Sequence, residues 1–487
     1  MGNSTIAVTT PAATVLLLWL LVLTATNNVH HVDAKGEDLV QPAAVSSVDG
    51  VLDVRLSLQK TTITTSDYSI TTRAFNGTLP GPTLRVKAGD TLLVQFTNEL
   101  PGKDGKPFVN NKISAPDETN IHYHGLHVDG DLPSDDSKFV VLPGESYLYN
   151  STLPTTHMPG THWLHPHRHG STALQVGGGA ASAIIVEDSN DGDLPPEVRS
   201  SVEVIMILQQ LYFDRVSRMD SSKLFQGGLL ASSSPNGRVH HKKGITTVNG
   251  QLEPVIRTNP GQWMRLRLIN AGWRGSDIHF TVYGCEMHLL AKNGIYIRDY
   301  PRSIDKATIW TGGRSDIMVR CMEPDTSYEI GNHEITLATI QTSNNATFLE
   351  DMSIEVSSMH EVAYPPYLED LVAVSPTPGC SCKTNVGWPM NGYEFQPGSI
   401  FHQSVLGSIV ERQLDAGDHP YHQHVYPFQV VQGFHDIDDG DAYNKNGDWH
   451  DVVEGSTCNQ IPSKRVCIQD HGALSSIGPR RRRYDGC

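Results

Sequence analysis

The stretch His419-Pro420-Tyr421-His422-Gln423-His424 decides how the rest of the chain is read. In an extended strand, side chains at i and i+2 share a face, so His422 and His424 point to one place. His419 lies three residues back across a proline, which cannot continue a central ladder, and so faces elsewhere. One stretch can thus supply two separate sites. The same i, i+2 pairing recurs in His122-Tyr123-His124 and His165-Pro166-His167. Imidazole suits Cu, Zn, Fe and Ni, and three such pairs in one chain point to a multinuclear metal site. An isolated pair reads as an ordinary surface or hydrogen-bonded histidine; three pairs, two of them flanked by Gly and Pro, do not.

The surrounding chain is built for strands. Its 487 residues allow roughly two to four domains. With 43 Gly, 29 Pro and only 18% charged residues, turns and short strands dominate, and no long 3.6-residue period appears. A formal charge of −16 argues against nucleic acid and anionic membrane surfaces as partners. Val15 to Leu23 is an apolar run too short to span a bilayer, followed by Val32-Asp33-Ala34 where a signal peptidase would cut. Residues 1–34 therefore read as a signal peptide and the protein as secreted, with no membrane span in the mature chain. Asn76, Asn150 and Asn345 head glycosylation sequons, so a glycoprotein is expected. Among seven cysteines, Cys285 and Cys321 form a candidate disulfide; Cys380-Ser381-Cys382 is too tight for an ordinary bridge.

An internal repeat sets the domain count. Asn76-Gly77, then Pro80 and Pro82, then Gly89 and the strand Thr91 to Phe96 form one copy. Asn249-Gly250, Pro254, Gly261 and Met264 to Asn270 form a second; Asn391-Gly392, Pro397-Gly398 and Gly407 to Val410 form a third. Acidic, Gly- and Pro-bearing residues 187–200 and Pro-rich residues 363–383 read as linkers. The expected fold is all-β, with three related β domains at 50–188, 201–360 and 384–453. Two histidine pairs fall in the first domain and one in the third. The metal site is expected between them, with the middle domain as a spacer.

These motifs resemble the multicopper oxidases, the family of laccases, ascorbate oxidase and ferroxidases. The resemblance runs from about residue 50 to about 453 and rests on Asn76 to Asp90, His122-Tyr123-His124-Gly125, Gly160 to Gly170 with its His-Pro-His-x-His-Gly wording, and His419 to His424. It implies three cupredoxin-like Greek-key β-sandwiches, the third (384–453) incomplete and followed by an aberrant tail at 454–487, and copper of types 1 and 2 and a binuclear type 3 pair. It places His122 and His422 on type 2 copper, His124, His165, His167 and His424 on type 3, and His419 on type 1. His162 and His169 fall outside the ligand positions. The implied reaction is one-electron oxidation of a small reducing substrate (phenol, amine or metal ion), coupled to four-electron reduction of O2 to water.

The family's fourth motif, His-Cys-His-x-x-x-His, is absent. Its Cys and last His complete the type 1 site, and its first two His complete the type 3 pair. Codons allowed for His471 to Arg480, read one base into His471, can spell Met-Val-His-Cys-His-Leu-Leu-Asp-His-Glu. A frameshift after Val453 is therefore expected, and the chain as written is expected to bind copper poorly and turn over little. The rival reading is a non-catalytic, secreted cupredoxin-like binding or structural protein. A copper nitrite reductase fits less well, because its chain has two such domains rather than three. A zinc hydrolase fits less well still, because no Glu sits beside the histidine pairs as a general base.

Overall fold

The computed structural model describes residues 30–32, 36–65, 68–102, 114–188, 194–211, 230–233, 245–273, 277–332, 335–344, 364–385, 405, 407–415, 420–434, 442–454 and 464–469. These residues are almost entirely strands and turns, so the all-β expectation holds.

Asn-Gly turns frame the first two repeats in the same way. Asn76 and Gly77 have φ of 49° and 70°, and Asn249 and Gly250 have 50° and 79°, the left-handed pair that Asn-Gly tolerates best. Asn76 Oδ1 accepts the Ser57 N–H at 2.8 Å, and its Nδ2 donates to Arg55 O at 3.3 Å. Asn249 Oδ1 accepts the Ile207 N–H at 2.8 Å, and its Nδ2 donates to Ile205 O at 2.8 Å. Each asparagine thus clips its turn onto strand residues two apart. The third copy, Asn391-Gly392, lies outside the described residues.

In the first repeat, Val51–Thr65 alternates Leu52, Val54, Leu56 and Leu58 inward. It pairs with Ser69–Phe75 on one side and Thr91–Asn98 on the other, and Ser146–Thr152 extends that sheet. The facing sheet runs Ala44–Ser46, Thr83–Val86, Ser182–Val186, Gly160–His165 and His122–His124. Between them lies an apolar core in which Phe75, Phe96 and Tyr149 meet edge to face. The histidine strand His122–His124 is the edge of this second sheet.

The second repeat centres on Val202–Leu211, Met264–Asn270, Arg314–Cys321 and Cys285–Lys292, in that order across one sheet. Cys285 and Cys321 stand directly opposite in antiparallel register with Cα atoms 4.4 Å apart, and they form the expected disulfide. Cys380 and Cys382 are free.

In the third repeat, Ser381–Asn385, Ile409–Asp415, Lys464–Gln469, Phe428–Gln432 and Trp449–His450 form one sheet, and Pro420–His422 pairs with Val452–Glu454 in another. Residues 464–469, inside the stretch assigned to the tail, are the middle strand of the larger sheet. Val466 and Ile468 alternate there with Arg465, Cys467 and Gln469, a two-residue period consistent with a strand.

Buried ion pairs join the repeats. Arg265 and Arg267 of the second reach Asp188 at the end of the first and Asp316 beside them. Lys292 and Arg302 of the second hold Asp448 of the third at 2.6 and 2.8 Å. Burial opposes ionisation of Asp448, but these two cations hold its carboxyl well below the usual range. Among the described residues, no helix is long and apolar enough to cross a membrane; the Val15 to Leu23 run lies outside them.

Candidate metal centre

Sheet register brings the first two histidine pairs together. His122–His124 runs antiparallel to Gly160–His165, with His122 opposite His165 and His124 opposite Trp163. The His122 and His165 rings lie 5.3 Å apart, and His167, just past the strand end, comes within 5.1 Å of His122. The third pair arrives from the other end of the chain. His422 stacks on His124 at 3.7 Å, and His424 stacks on His122 at 3.9 Å. Six of the seven predicted ligands therefore meet in one cluster. The seventh, His419, lies outside the described residues.

Hydrogen bonds on the outer nitrogens orient these rings. His122 Nδ1 bonds Asp135 Oδ2 at 2.8 Å, His165 Nδ1 bonds the Pro166 carbonyl at 2.9 Å, and His422 Nδ1 bonds the Asp451 carbonyl at 2.8 Å. A ring that donates from Nδ1 keeps its lone pair on Nε2. The Nε2 atoms of His122, His124 and His422 are buried without a hydrogen-bond partner. Orphaning a buried polar atom costs about 1–3 kcal/mol, so three on neighbouring rings mark a place prepared for a ligand. One donor nitrogen each from His122, His422 and His424 lie within 4.8 Å of one another, and so do those from His122, His124 and His165.

Protonation is matched to that role. Burial first, and the neighbouring rings second, push His122 and His424 well below the ordinary imidazole value, and burial with His422 does the same to His124. Burial also lowers His165 and His422 to about 3, against the carbonyl bonds that would raise them. Neutral imidazole is the metal-binding form. An all-imidazole donor set, neutral and buried or half-buried, fits copper.

His169 is partly exposed. His162 is buried beside His157 and lines a cavity with Gly125, Gln423 and Asp451.

Three functional residues escaped the sequence reading: Asp135, Asp451 and Arg314. Nothing in Ser134-Asp135-Asp136 or Trp449-His450-Asp451 separates a buried carboxylate from a surface one, because charged side chains are usually exposed. The middle repeat is also more than a spacer. Its Arg314 reaches Asp451 in a buried ion pair at 2.6 Å, against the cluster.

Comparison with known proteins agrees with this geometry. Residues 57–105 and 107–191 match one multicopper oxidase family model and residues 204–353 match another, together more than half of the chain. This chain belongs to the multicopper oxidase family. Its relatives include the multicopper oxidase mco of Staphylococcus aureus, 23% identical over 74% of this chain and 71% of that one. Laccase-2 of Botryotinia fuckeliana is 27% identical over 60% of this chain and 47% of its own length. The iron transport multicopper oxidase FET3 of Gibberella zeae is 28% identical, but the match spans only 32% of that protein. A multicopper oxidase structure from Pediococcus acidilactici superposes with a TM-score of 0.66 over 90% of this chain and 88% of that one, at 18% identity. One from Campylobacter jejuni gives 0.65 over 90% of both chains, at 16% identity. Membership of this family implies copper as the cofactor.

Proposed function

We propose that this multicopper oxidase is a secreted, laccase-like enzyme that oxidises a small reducing substrate one electron at a time and reduces O2 to water. The observation that carries the reading is the meeting of six imidazoles from three His-x-His pairs, with the outer nitrogens of His122, His165 and His422 capped and the Nε2 atoms of His122, His124 and His422 unpartnered. His122 and His422 would hold type 2 copper, and His124, His165, His167 and His424 the type 3 pair. Bound copper would accept single electrons and deliver them to dioxygen. The protein's own part is to hold these rings neutral, oriented and largely out of water.

The relatives' names include laccases and iron transport oxidases, so phenols, amines and metal ions are the substrate classes to assay. Asn76 and Asn150 are exposed, which supports the glycoprotein reading, although Asn76 also clips its own turn. We propose further that the chain as written is impaired. His-Cys-His-x-x-x-His is absent from its sequence, and with it the thiolate of a blue site.

The test uses two proteins: the chain as written, and one with the reading frame shifted at His471. Both are loaded anaerobically with copper, and metal content, visible absorption and O2 uptake are measured. The chain as written should retain copper that His122→Ala and His424→Ala lose. Only the shifted chain should gain the intense blue of a copper–thiolate centre and consume O2. A chain that takes up no copper in either form overturns the reading and leaves the non-catalytic binding role.

A further inference from the structure

The second repeat contributes none of the six imidazoles, yet it sets a guanidinium among them. Arg314 opens the strand Arg314–Cys321, and its side chain is wholly buried. Guanidinium has five N–H donors, and each is used. Nε donates to the Thr161 carbonyl at 3.2 Å. Nη1 donates to the Gly312 carbonyl at 3.1 Å and to Asp451 Oδ1 at 2.7 Å. Nη2 donates to the Asn293 carbonyl at 2.8 Å and to Asp451 Oδ2 at 2.6 Å.

The two ends of this clamp reach the two halves of the cluster. Thr161 lies on the strand that carries His165. The Asp451 carbonyl accepts both from His422 Nδ1 at 2.8 Å and from the Gln423 N–H at 3.0 Å. Gly125, directly after His124, makes room for the clamp. It has φ of 92°, and a Cβ there would fall 2.1 Å from Arg314 Nη2 and 2.7 Å from Asp451 Oδ2.

We propose that Arg314 is a positioning residue that, through Asp451, docks the His422–His424 stretch against the His122–His124 strand and so sets the spacing of the imidazoles. A bidentate guanidinium fixes both the distance and the plane of a carboxylate, which an ammonium does not. Without it, Asp451 is a buried charge without its cation, and Oδ1 lies 4.0 Å from His124 Nε2. The carboxylate would then turn on the imidazoles it now stands beside. The metal readout below rests on the copper-centre reading; the docking readout does not.

Arg314→Met and Arg314→Lys are compared with Lys292→Met. The last removes a different buried ion pair, to Asp448, three residues from Asp451. Amide hydrogen exchange is measured on metal-free protein, and copper affinity by competition with a chelator. Arg314→Met should lose protection at 421–424 while 122–124 and 264–270 keep it. Its copper affinity should fall about 10–100-fold, as when the outer partners of metal ligands are removed. Arg314→Lys should recover only part of both, and Lys292→Met should leave copper affinity unchanged. The clamp is overturned if Arg314→Met keeps native exchange and affinity, or if Lys292→Met matches it on both. Should Arg314→Met fail to fold, Asp451→Asn, which keeps the volume but not the charge, makes the same comparison. If the parent chain binds no copper but Arg314→Met still loses protection at 421–424, the clamp stands and the copper reading fails.

Discussion

The two halves of the histidine cluster are held by different means. His122, His124 and His165 ride on paired strands of a five-stranded sheet, backed by a continuous apolar core. His422 ends a strand of only three residues, Pro420–His422, whose partner, Val452–Glu454, is equally short, and His424 lies two residues beyond it. The first half is fixed by backbone register, which changes only if the sheet melts. The second is fixed by docking, so side-chain contacts decide its position. A site assembled this way should lose its two halves separately.

The largest effect should come from breaking the register-held half. Trp163 is buried with its indole 4.2 Å from the His165 ring and 5.1 Å from His124. Trp163→Ala should cost about 3–5 kcal/mol and lower global stability, seen as a shifted urea midpoint with an unchanged slope. A loss confined to the cluster, with a native midpoint, would mean the sheet does not carry this half.

Gly125→Ala acts where the halves touch. The left-handed backbone disfavours any side chain at a cost of about 1–3 kcal/mol, before the clash with Arg314 and Asp451. Copper affinity should fall more steeply than thermal stability; equal losses would argue that the contact is ordinary packing.

Asp135→Asn is a gentler probe of the first half. It keeps the volume but weakens the acceptor for His122 Nδ1, and copper affinity should drop about 10–100-fold with the fold intact. An unchanged affinity would show that the sheet alone orients that ring.

Acid should weaken both halves gradually. Burial lowers His157 to about 4, and His165 and His422 to about 3. An unfolded imidazole titrates near about 6.5, so between these values the unfolded chain binds more protons than the folded one. The stability these neutral rings contribute is complete above about pH 6.5 and is lost as pH falls toward the folded values. Urea midpoints of the metal-free protein should therefore decline with acidification through this window, and a flat profile would contradict it. His157→Gln, whose ring meets His162 and Tyr367 rather than the six clustered imidazoles, should remove part of the slope.

Much of this protein was legible without coordinates because the relevant physics is local. A two-residue period puts His122 with His124 and His422 with His424, and Asn76-Gly77 and Asn249-Gly250 specify their own turns. The residue types alone called for an imidazole-rich, multinuclear metal centre. Other features could not be read that way. Which ring stacks on which, the strand at 464–469 set between 409–415 and 428–432, and the burial of Asp135, Asp451 and Arg314 all depend on how separate sheets dock. Strand geometry repeats within a few residues, so sequence determines it. A contact between residue 124 and residue 422 exists only after three repeats have packed, and a buried charge is recognisable only once its partner from another repeat has come to meet it.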